Sequence, residues 1–167
     1  MSKISATITA LGAYVPEHIL SNAMLENMVD TNNEWIIART GIKERRILKE
    51  NGKGTSYLAI NAAKDLIKKT ELDPSTIDLV IVATATPDMK AASTASFTAT
   101  AIGACNAFSF DMDSACSGFL FGMSTAASYI ESGRYKKILL IGADKMSSIV
   151  NYKAVSYTHL TLPTRAV

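Results

Sequence analysis

AFSFDMDSACSGFLFGM, residues 107–123, places three local signals in unbroken succession. Ala107 to Met112 is an apolar run suited to a strand. Asp113, Ser114 and Ala115 form a small-residue turn that carries Cys116, and a helix opens at once, from Ser117 to Ser132, with Gly133 to stop it. That helix is apolar nearly all round, which predicts a central rather than a peripheral position. Gly118 and Gly122 share one of its faces, where another backbone can approach closely. Cys116 then lies at a helix N-terminus, where unpaired N–H groups and the positive end of the macrodipole favour a thiolate, the nucleophilic form of cysteine. A buried free cysteine is more often a small hydrophobe, so these residues alone make Cys116 a candidate covalent catalyst at even odds with a packing role.

Working outward, Leu79 to Ala83 (LVIVA) and Ile138 to Gly142 are further apolar runs without polar alternation, as expected for strands covered on both faces. Ser56 to Thr70 carries Ala59, Ala62, Ala63, Leu66 and Ile67 at helical spacing, with Lys68 and Lys69 at its C-terminal end. Strands alternating with helices predict an α/β fold with a mainly parallel sheet and right-handed crossovers. Nearer the N-terminus, Ile4 to Tyr14 reads as a strand closed by Val15-Pro16, followed by a short helix around Ala23 to Val29. Thr31 with Glu34 has the form of a capping box for a helix through Trp35, Ile36 and Ile37 that Gly41 ends, which puts Trp35 and Arg39 on one face.

Composition bounds the function. The chain has 167 residues, 48% hydrophobic, enough for one core or for one lobe of something larger. A formal charge of +2 argues against nucleic acid or an anionic membrane as the main partner. Cys105 and Cys116 form neither a disulfide framework nor a metal-ligand spacing, no apolar run approaches a spanning helix, and no signal-peptide pattern opens the chain. The expected compartment is the cytoplasm. Gly52-Lys53-Gly54-Thr55 lacks the spacing of a phosphate loop. No repeat or domain boundary interrupts residues 1–152, one unit. From 153 to 167 the periodicity is lost, and VSYTHLTLPTRAV resembles a translated sequencing adapter, so this tail, with His159, is set aside as non-native.

Four separated stretches carry a family resemblance: DTNNEWIIARTGIKERR (30–46), VATATPD (82–88), ACSGF (115–119) and GADKMSS (142–148). In this order they resemble the N-terminal half of β-ketoacyl-acyl-carrier-protein synthase III, a condensing enzyme of the thiolase fold. The resemblance implies the N-terminal lobe of that fold and an acyltransferase that begins fatty-acid synthesis. It implies that Cys116 is acylated by an acyl-CoA primer, and that the acyl-enzyme then condenses with malonyl-acyl-carrier protein. It further implies that Thr31, Trp35 and Arg39 contact the adenine end of coenzyme A, and that the complete enzyme is a homodimer with no metal and no resident cofactor, acyl-CoA being its substrate. From the residues alone, Trp35 is more readily read as a helix anchor with Arg39 lying along it; it is the resemblance that favours coenzyme A.

Lys43, Arg45 and Arg46 form a basic cluster, more often a solvated face than a docking site for a carrier protein or for CoA phosphates. The family's condensing histidine and asparagine belong to the other half of its fold; His18 does not match that position and is read as a surface residue. Ala91 stands where many members carry a phenylalanine that shapes the acyl pocket, which implies room for a longer or branched primer. Other thiolase-fold acyltransferases, such as hydroxymethylglutaryl-CoA synthase or a secondary-metabolite ketosynthase, stay open, as does a non-catalytic CoA-binding or dimerisation lobe.

Overall fold

The computed structural model describes residues 4–150. In chain order the elements are β1 (Ile19–Ser21), α1 (Asn22–Glu26), α2 (Asn33–Thr40), β2 (Glu44–Arg46), α3 (Thr55–Thr70), β3 (Leu79–Ala83), α4 (Thr94–Ile102), β4 (Phe108–Met112), α5 (Gly118–Glu131) and β5 (Ile138–Gly142). Three strands make a parallel sheet in the order β4-β3-β5, and β1 pairs with β2 in a small antiparallel ribbon.

β3 is the middle strand, and all five of its residues are buried. Its side chains alternate between two apolar layers. Val80 and Val82, with Leu139 and Ile141 of β5, join Leu58, Ala59, Ala62 and Ala63 of α3 and Ala95 and Ala99 of α4 in the main core. On the other face lies α5: a Cβ on Gly118 would stand 3.4 Å from that of Ala83, and Phe119 lies against Gly142. The chain moves from β3 to β4 in one direction and from β4 past β3 to β5 in the other. Crossovers of one hand then require α4 and α5 on opposite faces of the sheet.

Carboxylates tie the element ends to backbone N–H groups. Asp78, one residue before β3, accepts from Lys136 N at 2.7 Å and Lys137 N at 2.9 Å, ahead of β5. Its own N–H donates to Lys137 O, and Phe108 N donates to Asp78 O, so one residue aligns the starts of all three strands. Asp111 of β4 accepts from Thr94 N and Ala95 N, both at 2.7 Å, at the opening of α4. Asp88 accepts from Ser56 N at 3.1 Å in the first turn of α3. Each places a negative charge at a positive helix end or between paired donors.

Several expectations are corrected. Of the strand expected over Ile4 to Tyr14, residues 4–13 form none and Tyr14 alone is in an isolated bridge: the segment crosses α3 and β5, with Ala13 N donating to the Asp65 carboxylate. The helix expected around Ala23 to Val29 is α1, which begins one residue earlier, at Asn22, and ends three residues sooner, at Glu26. α2 is capped by Asn32, whose side chain accepts from Trp35 N, rather than by Thr31; Asn caps at least as well, and Glu34 still occupies the first turn. Gly41, at φ 69°, ends α2 as expected. The expectation of a helix buried all round is met on one face of α5 only. Gly118 and Gly122 are its buried residues, Gly122 against the Leu140 side chain rather than a backbone, while Leu120 and Phe121 are exposed.

Gly12 marks the closest approach of the N-terminal segment. A Cβ there would lie 2.6 Å from Ala62 O and 2.6 Å from Leu66 Cβ, contacts that no rotamer change relieves. Gly12→Ala is therefore expected to lower stability by roughly 1–3 kcal/mol in urea unfolding; an unchanged midpoint would show that this segment is not packed on α3.

The backbone N–H groups of Lys137 and Lys136 hold the Asp78 carboxyl below its ordinary value of 3.8. Its contribution is full above that unfolded-state value and is lost as pH falls through the lower folded one. Between about pH 6 and about pH 2 the urea midpoint should fall less in Asp78→Asn than in the parent chain; parallel curves would refute this.

Candidate active site

The turn bearing Cys116 leaves β4 at the carboxyl end of the sheet. Loops from neighbouring strands β3 and β4 depart there toward opposite faces, which is where open parallel sheets form binding crevices. Ala115 to Ser117 make a tight 3-10 turn that runs directly into α5, and the Cys116 side chain is exposed. Ser114 O gathers Ser117 N at 3.1 Å and Ser117 Oγ at 2.8 Å, and Gly118 N donates to Ala115 O. Ala115 has φ 44°, in the left-handed region. For a residue with a Cβ this costs about 1–2 kcal/mol, strain of the kind concentrated at functional turns.

What presses on this turn is the end of β3. Thr84 N donates to Met112 O at 3.1 Å, and the Cα of Gly118 fits beside Ala83. Thr84 is in turn held by a polar network that also takes in the Asp144 carboxylate. Asp144 Oδ1 accepts from Ala85 N at 2.8 Å, Thr86 Oγ1 at 3.0 Å and Thr84 Oγ1 at 3.1 Å. Thr86 Oγ1 and Thr55 Oγ1 lie 3.0 Å apart, and Lys145 N donates to both hydroxyls. Thr55, Thr84 and Thr86 are buried, so these hydroxyls must find partners inside the protein.

The second candidate patch is α2. Arg39 places its guanidinium 5.4 Å from the centroid of the Trp35 ring. The two are brought together as expected, but they touch each other, which leaves no room for a nucleobase between them until Arg39 swings aside. Trp35 packs on a small cluster of Leu20, Leu25 and Ile36, separate from the main core and from the Cys116 turn. Beneath lies Arg45, which corrects the reading of the basic cluster: β2 turns Arg45 inward, 1% exposed, and its Nη1 donates to Asn22 Oδ1. Asn22 Nδ2 is 2.9 Å from Ile42 O and 3.0 Å from Asn33 Oδ1, which fastens α2 to the ribbon. Arg46 is half-buried, and Lys43 keeps the exposed position expected of it.

Thr31 is half-buried two residues before α2, its hydroxyl buried and without a hydrogen-bond partner among the described residues. His18 is half-buried rather than on the surface; Ala91 and Cys105 are exposed. His159 and the tail from 153 to 167 lie outside the described residues. Among the described residues no group of three or more His, Cys, Asp or Glu could hold a metal, and no helix is long and apolar enough to cross a membrane. The Asp144 network and the strain at Ala115 were not foreseen. The visible signal for the first was a set of polar residues directly following the apolar runs of β3 and β5.

Comparison with known proteins bears on the fold and the family resemblance. The family model for 3-oxoacyl-acyl-carrier-protein (ACP) synthase III matches residues 110–162. The chain is 59% identical over 152 residues to beta-ketoacyl-acyl-carrier-protein synthase III 2 of Bacteroides thetaiotaomicron, covering 91% of this chain and 45% of that protein. Its structure is similar to 3-oxoacyl-acyl-carrier-protein synthase III of Aquifex aeolicus, with TM-score 0.88 and 41% identity over 94% of this chain and 50% of the other. It is also similar to the Thermus thermophilus synthase III, with TM-score 0.90 and 37% identity over 96% and 49%. The resemblance carried by the four motifs is therefore upheld: the chain is similar to the N-terminal part of a β-ketoacyl-acyl-carrier-protein synthase III, in an α/β thiolase-like fold. It spans about half the length of the curated relatives it matches.

Because Ala115 is held in the left-handed region, Ala115→Gly should leave the urea midpoint unchanged or raise stability by up to about 1 kcal/mol, while Ala115→Val lowers it by roughly 1–2 kcal/mol. Equal stability of the two variants would mean that the turn stores no strain.

Proposed function

We propose that this chain is the acyl-accepting part of a β-ketoacyl-acyl-carrier-protein synthase III. The observation that carries the reading is Cys116, exposed in a strained turn at the carboxyl end of a parallel sheet and directly ahead of α5. Cys116 Sγ attacks the thioester carbonyl of an acyl-CoA; the bond from that carbonyl to the CoA sulfur breaks, and CoA leaves as the thiol. The resulting acyl-cysteine accepts the carbanion from decarboxylating malonyl-acyl-carrier protein, forming the carbon–carbon bond, freeing carbon dioxide and restoring the cysteine. Splitting the reaction in this way gives two lower barriers in place of one high one.

Coenzyme A is held through Trp35 and Arg39, with Thr31 beside them. Stacking on the indole face and the guanidinium charge suit an adenine nucleotide once Arg39 has moved. The exposed apolar residues Leu120 and Phe121 of α5 support an assembly, in the complete enzyme, as a homodimer. Two free, exposed cysteines suit a reducing cytoplasm.

The chain has a single tryptophan, so Trp35 fluorescence reports directly on its own site. Adding CoA should quench it, and acetyl-CoA should add one acetyl group to Cys116 by peptide mass analysis. Trp35→Ala, which removes the fluorophore and is followed through the acetyl adduct, is expected to raise the acetyl-CoA concentration for half-maximal acetylation by about tenfold or more, the scale of one lost base-stacking contact, with little change at saturation. Cys116→Ala should remove the adduct and keep the quench. Quench without an adduct would reduce the chain to a CoA-binding lobe, and neither signal would end the proposal.

A further inference from the structure

We propose that Asp144 is a positioning residue for Cys116, acting through Thr84; this rests on Cys116 being the nucleophile. The path is continuous. Asp144 Oδ1 accepts the Thr84 hydroxyl at 3.1 Å, Thr84 N donates to Met112 O at 3.1 Å, and Met112 is the last residue of β4 before the strained turn. A second strut runs beside the first: Ala143 N donates to Ala83 O at 3.1 Å, and Gly118, which opens α5, packs against Ala83. The strand ladders end at Ala83, Met112 and Gly142. Beyond them Thr84 N to Met112 O and Ala143 N to Ala83 O still join the chain ends, and the Asp144 carboxylate fixes the residues that make those bonds by drawing Thr84, Ala85 and Thr86 to one oxygen. Because Thr86 is also joined to Thr55, at the first position of α3, the clamp is anchored in the main core and does not drift with the loop.

The β3–β4 ladder fixes β4 as far as Met112, and Asp144 extends that constraint by one residue, holding Thr84 against Met112 O at the entrance to the Ala115 turn. The consequence is a thiol held at the mouth of α5 instead of relaxing away from it.

Cys105 is exposed in the same chain and supplies an internal reference. Both thiols are alkylated with iodoacetamide near neutral pH, and their rates are compared by peptide mass analysis in the parent chain and in Asp144→Ala, Asp144→Asn, Thr84→Val and Thr84→Ser. In the parent chain Cys116 should react several-fold faster than Cys105. Asp144→Ala and Thr84→Val should bring that ratio down at least fivefold. Asp144→Asn and Thr84→Ser, which keep an acceptor and a hydroxyl, should preserve most of it. A merely stabilising role would lower the urea midpoint without moving the ratio, and that outcome in a folded variant overturns the proposal. If Asp144→Ala does not fold, Thr84→Val, which deletes a single hydroxyl, decides alone. A parent ratio near one is a different failure: it removes the nucleophile itself, and the positioning role falls with it.

Discussion

The complete burial of β3 is the constraint on which the other elements depend. A strand with five buried residues needs hydrogen-bonding neighbours along both edges and apolar cover on both faces. β4 and β5 supply the edges, α3 and α4 cover one face, and α5 covers the other. Burying side chains such as Ile81 and Val82 contributes roughly 1.5–3 kcal/mol each, more than the surface ion pair of Asp65 with Lys69 could add. The opposite directions of the two crossovers follow from the strand's central place. So does the parting of the loops at its carboxyl end, where Cys116 lies.

At that end the energetics change character. Apolar burial gives way to shared polar acceptors: Ser114 O for the turn, Asp144 for the three threonine-rich residues after β3, and Asp88 and Asp111 for the openings of α3 and α4. Such contacts are worth about 1 kcal/mol each, yet they are directional where hydrophobic contacts are not. A nucleophile needs direction more than it needs depth. The Trp35 and Arg39 patch follows the same plan on a smaller scale, an aromatic seated on a three-residue apolar cluster and fastened by the buried pair of Asn22 and Arg45.

Periodicity made α3 and β3 legible, because a half-buried helix and a doubly covered strand each write their surroundings into their own side chains; β5 is a strand as expected, but it is buried only at Leu139 and Ile141 rather than on both faces. The strand–turn–helix around Cys116 was legible for the same reason. Where the reading failed, the deciding partner lay elsewhere in the chain or in geometry that side-chain type does not encode. Residues 4–13 have strand-like composition, but a strand exists only with a ladder partner. Thr31 and Asn32 are adjacent residues of nearly equal capping strength, and only the path of the backbone chooses between them. Arg45 looked solvated because three residues of β2 are too few to reveal alternation. The Asp144 network joins residues some sixty positions apart, which no local window contains. The α5 surface shows the converse: an apolar helix announces that it will be covered, and says nothing about by what.

The N-terminal segment adds a matter of timing. Ala10, Leu11 and Gly12 share a small cavity with Leu139, Leu140 and Ile141, and Ile4 reaches Gly133 beyond the end of α5. The first described residues are thus docked on the last strand. On a ribosome that adds about 5–20 residues per second, this segment waits on the order of ten seconds for its seat to be made. Until then Ala10 and Gly12 lack their seat beside α3 and β5, and closing so long a loop is expected among the late and slow steps of folding.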